Sequence, residues 1–426
     1  MGPDLARQLE VHRAHARLVE RFDPLRAEGI DATLLVDLAD AGPTSVRLGA
    51  GRCTIRTGDR PARPTVTYRS DAAVWLDLVE GRIRGMDAFL AGALKVTGDL
   101  HLATRFETLF RRLPGQPRVE VTHTRVRGLV LEALVAGEGT GPPVLLLHGL
   151  GANKVSFLPT LSALAERAEV HALDLPGFGG SSAPLPAGRR YSMAWFADVV
   201  NGYLIERGLD AAHLVGNSMG GRIALEVALR HPRSTHSIVG LGPAVGFDLT
   251  RLLAPALRYT RPQWGGLAPV PLRRAVVERL VRDLFADPDV LPPEHHRAAA
   301  DDVLAAWQRP GYRLALLAAA RHLGLERGRG PTAYWRRLRA LEVPSLWVFG
   351  EQDRLVASRY AARVAAAVPH AEVQTWPAVG HVPQFEAPRR VAALLEDWLD
   401  RTSPPEDRPQ AAEVVPAASQ AVTAAR

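Results

Sequence analysis

The sequence predicts an α/β protein in two parts, a mostly parallel sheet with helices on both faces and a helical cap, preceded by a small α+β domain. Three observations carry this. From Val119 onward, short runs rich in Leu and Val ("PVLLLHG", "EVHALDLPG", "AHLVGNS", "SIVGLGP", "PSLWVFG", "EVQTWP") alternate with helical stretches. Strands that are apolar on both faces belong in a parallel sheet with crossover helices. Before Arg112 the pattern differs, and "LPGQPR" at 113–118, with two prolines and a glycine, marks the boundary. The length of 426 residues also exceeds what a single core usually organises.

Taken in order, the first part (1–112) opens with the helical pattern "LARQLEVHRAHARLVERFDPL". It turns β-like at "ATLLVDLA", "SVRLGAG" and "TVTYRS", with the stretch "GRCTIRTGDRPARP" read as a loop. "DAAVWLDLVEG" and "GMDAFLAG" each space their apolar residues for one helical face, "ALKVTGD" reads as a strand, and "LHLATRFETLFRRL" as a closing helix. In the second part (119–400), "VEVTHTRVRGLVLEALVAG" alternates like an antiparallel hairpin before the apolar strands begin. Residues 248–339 break the strand–helix alternation, being helical, Arg-rich and punctuated by Pro, and read as a cap inserted above the sheet. Residues 401–426 lack hydrophobic periodicity and are expected to be a disordered tail.

Composition narrows the function classes. The chain is 47% hydrophobic and 23% charged, as ordinary globular proteins are. No run reaches the roughly 18 apolar residues of a spanning helix, and "MGPDLARQLE" lacks a secretory core, so a cytoplasmic location is expected. Cys53 is the only cysteine, which excludes an internal disulfide and a cysteine zinc site. The net charge of +7 is concentrated between Arg251 and Arg339, where 16 arginines face 8 acidic residues. They follow helical patterns without the aromatic-rich strands of RNA-binding sheets, so nucleic acid is not expected as a partner. Peripheral contact with an anionic membrane surface is the sharper reading of that charge; a solvated basic face is the plain one.

The chemistry concentrates in "LVGNSMGGRIAL" (214–225). A strand enters, Gly216 and Gly220 flank Ser218, and an amphipathic helix leaves. A strand reversing this sharply forces the serine into strained dihedrals, and side chains at the flanking positions would collide. The hydroxyl then stands above the sheet at a helix amino end, where negative charge is favoured. A serine hydroxyl is a weak nucleophile and needs a base, which in turn needs an orienting group. Asp353 in "GEQDRLV" and His381 in "GHVPQFEAP" each follow a strand and stand in the required order. Glu351 and Asp248 are rival acids by type. The loop "LLLHGLGAN" offers the backbone N–H of Leu150 which, with that of Met219, would bind an oxyanion; losing one such donor costs about 3 kcal/mol. His148 reads as a loop residue, with a role as the base its rival, and Asp174 as a support of the fold.

With "HGLG", "DLPGFGGSS", "GNSMGG", "GEQD" and "GH" in succession, 119–400 resembles the α/β-hydrolase superfamily. The resemblance implies Ser218 as nucleophile, His381 as general base and acid, Asp353 as its orienting carboxylate, and Leu150 and Met219 as oxyanion-hole amides, with no metal or cofactor. Residues 31–110, chiefly "TVTYRSDAAVWLDLVEGRIRGMDAFLAGALKVTGDLHLATRF", resemble the sterol carrier protein domain, which implies an apolar lipid tunnel. Trp75, Leu78, Met86, Phe89 and Leu90 are the residues expected near it, a solid core being the plainer alternative. Trp264, Trp307 and Trp335 of the cap are candidates for the acyl pocket. The expectation is a serine hydrolase of a hydrophobic ester. The carbon–carbon hydrolases of ring-fission products are the alternative; "HGLGANKVSFLP" lacks their aromatic and asparagine pattern, which favours esters. A lipid carrier with a vestigial hydrolase half is a third reading.

Overall fold

Two separate β-sheets organise the chain, each built from the runs whose alternation or apolar continuity marks them as strands. A computed structural model describes residues 5–114, 118–139, 141–245, 271–325 and 334–403. The first part begins with helix α1 (Leu5–Glu20), followed by strands β1 (Ala32–Leu38), β2 (Gly42–Gly49), β3 (Arg52–Thr57) and β4 (Val66–Ser70). Helices α2 (Ala72–Val79) and α3 (Gly85–Leu90), strand β5 (Lys95–Gly98) and helix α4 (Leu100–Arg105) complete it. The sheet order is β3-β2-β1-β4-β5, antiparallel except for the β1–β4 pair.

Three expectations are corrected in this part. The opening helix stops at Glu20, before the Asp23-Pro24 step, because a residue preceding proline is disfavoured in helical geometry. "RCTIRT" is an edge strand and not the expected loop; it is largely exposed, and its apolar face is only Cys53 and Ile55. The closing helix is one short turn plus a 3₁₀ turn at Glu107–Leu109, after which Phe22 and Phe110 bridge the ends of the domain. Cys53 is half-buried, and burial pushes its thiol up to about 11, away from reactivity.

The second sheet has eight strands among the described residues, in the order β13-β12-β11-β10-β8-β9-β7-β6. The hairpin β6 (Val119–Val126) and β7 (Leu129–Ala136) is antiparallel, and β7 also pairs antiparallel with β9 (Val170–Leu173). From β8 (Val144–Leu147) and β9 through β10 (Ala212–Asn217), β11 (Thr235–Leu241), β12 (Ser345–Gly350) and β13 (Glu372–Trp376) all pairings are parallel. Strands β8, β9, β10 and β12 are buried at every position, which is why they read as unbroken apolar runs. Helices α5 (Leu158–Leu164), α6 (Met193–Glu206) and α7 (Met219–Arg230) are the first three of this part.

Between β11 and β12 the cap supplies α8 (Arg274–Arg282), α9 (Pro293–Gln308), α10 (Pro310–Gly324) and α11 (Tyr334–Leu338). Helices α12 (Tyr360–Ala367), α13 (Pro383–Glu386) and α14 (Pro388–Thr402) follow, α14 running two residues past the expected end of the domain at 400. Within the expected tail, residues 404–426 lie outside the described residues, as do Asp248, Trp264 and part of the expected linker. Among the described residues no helix is long and apolar enough to cross a membrane. Several cap arginines are ion-paired, Arg274 with Asp301 and Arg282 with Asp289, so part of the local positive charge is neutralised.

The two parts share a junction. Phe89 packs on the His295 ring of α9 with centroids 4.5 Å apart, Lys95 pairs with Glu294 at 2.9 Å, and Ser162 donates to Asp87. A cavity of about 70 Å³ lies there. Trp75, Leu78, Met86 and Phe89 line it from the first part, while Leu134, Val155 and Leu158 close it from the second. Leu90 does not line it. It ends α3 and stays 39% exposed.

Candidate active site

Ser218 sits between β10 and α7 with φ 53° and ψ −116°, a left-sided conformation that costs a non-glycine residue about 1–3 kcal/mol. The flanking glycines permit it. A Cβ on Gly216 would lie 2.2 Å from the carbonyl carbon of Gly220, and one on Gly220 would lie 1.8 Å from the Leu147 carbonyl oxygen. Ser218 N–H donates to the Leu241 carbonyl and the Ser218 carbonyl accepts from Ala244 N–H, each at 3.0 Å, so the bend is tied to the end of β11.

Asp353 and His381 follow β12 and β13 at the same edge of the sheet, where the carboxyl ends of parallel strands gather ligands. Asp353 Oδ1 accepts from Leu355 and Val356 N–H, both at 2.8 Å, and Oδ2 lies 2.7 Å from His381 Nδ1. A carboxylate so held makes Nδ1 the protonated nitrogen and leaves the Nε2 lone pair available as a base. Both side chains are buried. Gly242, at φ 52°, lies beneath the pair, since a Cβ there would come within 3.4 Å of both Asp353 Oδ2 and His381 Nδ1. Glu351, the rival acid, is exposed.

Asn217 links this pair to the serine. Its Nδ2 donates to the carbonyls of Leu241 (2.8 Å) and His381 (2.9 Å), so the loop carrying the imidazole abuts the bend carrying the hydroxyl. Glu386 holds the same loop from the other side, accepting from Gly380 N–H and from Ala286 N–H of the cap, and burial raises its carboxyl. No hydrogen bond joins the Ser218 hydroxyl to His381 among the described residues. Such contacts are often long until substrate is bound.

The loop after β8 faces the serine, for a Cβ on Gly149 would lie 3.3 Å from Ser218 Cβ. Met219 N–H is the first of α7 and lacks an intrahelical acceptor. Leu150 N–H makes no hydrogen bond among the described residues. His148 Nε2 accepts from Leu175 N–H at 3.0 Å, which puts its proton on Nδ1, 2.8 Å from the Gly149 carbonyl. Burial lowers its value, so the imidazole is neutral and fully engaged within the loop. The cap pins the loop from above, with the Tyr312 hydroxyl donating to Gly151 O (2.8 Å) and Asn153 Nδ2 to Asp302 (2.7 Å). Trp335 stacks on Tyr360 under the Arg363 guanidinium, and both candidate pocket residues, Trp307 and Trp335, pack against the core of the second part.

Directly after this loop lies a buried charge cluster that inspection of the sequence had missed. Lys154 Nζ, fully buried, lies 2.7 Å from Glu132 Oε1, 2.7 Å from Asp174 Oδ2 and 2.9 Å from His101 Nδ1. Burial alone would lower the ammonium value, yet the two carboxylates more than offset it and the net shift is upward. Burial likewise opposes ionisation of Glu132 and Asp174, and the ammonium outweighs it, leaving both below the usual carboxylate range. His101 is lowered by burial and then by the ammonium, so it is a neutral acceptor. The ligand atoms of His101, Glu132 and Asp174 lie within 4.8 Å of one another, a donor set that could hold a metal ion, and the Lys154 ammonium sits among them. Asp174 also accepts from Lys154 N–H and Gly180 N–H. The "DLPGFGGS" motif flags Asp174; nothing local flags His101 or Glu132.

A parallel sheet with a serine bend on its central strand, a carboxylate–imidazole pair at the same edge and helices inserted after β11 defines an α/β-hydrolase fold. The chain belongs to the alpha/beta hydrolase fold family, matched over residues 142–388, and carries ahead of it a domain of the SCP-2 sterol transfer family, matched over residues 17–111. It is 30% identical over 275 residues to a pimeloyl-[acyl-carrier protein] methyl ester esterase of Aeromonas hydrophila, covering 61% of this chain and 96% of that protein. It is 29% identical to a 2-hydroxymuconate semialdehyde hydrolase of Pseudomonas putida, over 62% of this chain and 88% of the relative. Among solved structures, a bacterial membrane phospholipase A superposes with a TM-score of 0.56 at 25% identity, covering 78% of this chain and 96% of that one. A 2-hydroxy-6-oxo-6-phenylhexa-2,4-dienoate hydrolase from a Rhodococcus species gives 0.54 at 26%, covering 66% and 99%.

Proposed function

We propose that the chain is a serine hydrolase in which Ser218 attacks a substrate carbonyl, His381 moves the proton, Asp353 orients the imidazole and the N–H groups of Leu150 and Met219 receive the oxyanion. The observation that carries this reading is the conjunction of a left-sided serine on the bend with a 2.7 Å carboxylate–imidazole contact beside it. Asp353→Asn is expected to lower kcat by about 10⁴-fold, because the amide holds the wrong imidazole tautomer. Steady-state rates on the protein with an unaltered thermal transition check this, and a loss of less than tenfold would remove Asp353 from the role.

For the substrate, the relatives support cleavage of a carbon–carbon bond in a vinylogous diketone more widely than the ester hydrolysis that the "HGLGANKVSFLP" loop favours. A semialdehyde hydrolase stands among the curated relatives and a phenylhexadienoate hydrolase among the structures. The methyl ester esterase and the phospholipase support the ester reading. Both reactions begin with a carbonyl at Ser218. A side-by-side assay of a 2-hydroxy-6-oxo-hexa-2,4-dienoate and a panel of 4-nitrophenyl esters separates them, the higher kcat/KM naming the class. In either case the amino-terminal domain has the part of holding an apolar ligand.

A further inference from the structure

The turn that carries Leu150 is anchored at its far end by the first domain. Ala152 N–H donates to the Gly149 carbonyl at 3.2 Å and Gly151 stands at φ 79°, so residues 149–152 close as a turn whose third residue needs positive φ. Leu150 is its second residue, and the direction of its N–H follows from where the two ends are fixed. The near end leaves β8 and is held by His148. The far end enters the 3₁₀ turn Lys154–Phe157, where Asn153 accepts from Val155 N–H at 2.9 Å. Lys154 is the anchor there. Its N–H donates to Asp174 Oδ1, and its ammonium, with three donors, meets three acceptors on Glu132, Asp174 and His101. Glu132 lies on β7 and Asp174 just past β9, in the sheet that carries the serine. His101 lies on α4 of the first domain, whose first turn Asp99 caps by accepting from Leu102 N–H at 2.9 Å. Its Nε2 is 3.2 Å from Glu132 Oε1, so the imidazole touches both the ammonium and one of its carboxylates.

We propose that His101 is a positioning residue of the catalytic site: it completes the hydrogen-bond set of Lys154, fixes the far end of the oxyanion turn, and so makes the first domain part of the support for chemistry carried on the second. The inference rests on the Ser218 mechanism proposed above. Without His101, one N–H of a fully buried ammonium has no acceptor, and a buried charged donor left unpaired is costly. Lys154 relieves that cost by shifting, and the turn that ends on it shifts too. An oxyanion donor acts only at the position the charge will occupy, and losing one costs about 10²–10³ in kcat. A displaced donor forfeits part of that. The ground-state carbonyl depends on it far less, so the loss falls on turnover and not on substrate binding.

The test compares the full parent chain with His101→Leu, which removes the acceptor, and His101→Asn, whose carbonyl oxygen stands close to where Nδ1 does. Turnover of 4-nitrophenyl butyrate is measured per site titrated to completion with a fluorophosphonate, so that unfolded chains do not count. His101→Leu is expected to lower kcat about tenfold or more with KM within about twofold of the parent's, and His101→Asn to keep kcat within about threefold. A merely structural histidine would lower the number of titratable sites and leave kcat per site alone. Unchanged kcat per site in His101→Leu, a KM that rises as far as kcat falls, or an asparagine variant as slow as the leucine one would each overturn the proposal. Should His101→Leu not fold, His101→Gln takes its place: its carbonyl lies one methylene farther out, past Lys154, and the same loss against His101→Asn is expected. A parent chain that neither takes up the probe nor cleaves the ester refutes the Ser218 mechanism and this inference with it, whereas an active parent with indifferent variants refutes this inference alone.

Discussion

Replacing Ser218 with alanine is expected to lower turnover by about 10⁶-fold, the loss seen when the nucleophile of an equivalent triad is removed. The size follows from what the hydroxyl does. In the proposed mechanism, without it no covalent acyl intermediate forms, and His381 has no proton to accept. What remains is polarisation of a bound carbonyl by two amides, worth about 10³–10⁴ over water. The fold should survive, since the bend is held by backbone hydrogen bonds from Ser218 N–H and Ala244 N–H, and alanine occupies no more room. The backbone strain persists in the variant, because φ 53° is imposed by the chain path. A fluorophosphonate probe should label the parent chain at Ser218 and leave the variant unlabelled. Labelling that persists, or equal turnover, would end the serine mechanism; a parent chain that resists the probe while still binding lipid would point to a carrier.

The second large effect concerns stability. Lys154→Met is expected to destabilise the catalytic domain by about 3–5 kcal/mol, because it leaves Glu132 and Asp174 as buried carboxylates without their ammonium. Methionine fills most of the volume, so the loss reports charge and hydrogen bonds. Its pH dependence has a definite sign. In the parent both carboxyls sit below their unfolded values, so the stability they contribute is present above the ordinary carboxylate range and fades on acidification. In the variant the largest opposing charge is gone, so burial raises both carboxyls relative to the parent and protonation relieves it as the pH falls. The gap between the two melting temperatures should therefore be widest near pH 7 and close as the pH falls towards about 4. Scanning calorimetry across that range measures it, and a gap that is small or flat with pH would mean the cluster does not hold the loop.

Glu107 makes the opposite case. Its carboxyl rises from 4.5 to about 7 on folding, so the folded state binds the proton more tightly and stability falls as the pH climbs through that window. Glu107→Gln removes the penalty. Its melting temperature should rise relative to the parent at about pH 8, with the gain disappearing near pH 5, for a difference of about 2–3 kcal/mol. An offset that does not move with pH would show that the carboxyl titrates normally in the fold.

These residues also show where reading the chain succeeds and where it stops. Four of the six apolar runs, β8, β9, β10 and β12, were readable because burial on both faces leaves no polar period to confuse with anything else. The bend at Ser218 was readable because its demand for small neighbours is met within five consecutive residues. Asp353 and His381 could be nominated by position, each just past a strand. The edge strand at Arg52–Thr57 was not, since its apolar face amounts to Cys53 and Ile55 alone. Leu90 was misplaced because helix phase at a terminus is set by what the helix packs on.

Backbone sterics and strand periodicity act between residues close in the chain, and so the α/β class, the serine bend and the order of its candidate partners are written locally. Long-range packing supplied the rest. Asn217 reaches the His381 carbonyl 164 residues away, His101 of one domain meets Lys154 of the other, and Val155 closes a cavity that begins at Trp75. Whether a buried carboxyl meets an ammonium, a backbone N–H or an empty cavity depends on groups that only folding brings within hydrogen-bonding distance. That is why Asp174, Glu132 and Glu107, alike in chemistry, have such different surroundings here.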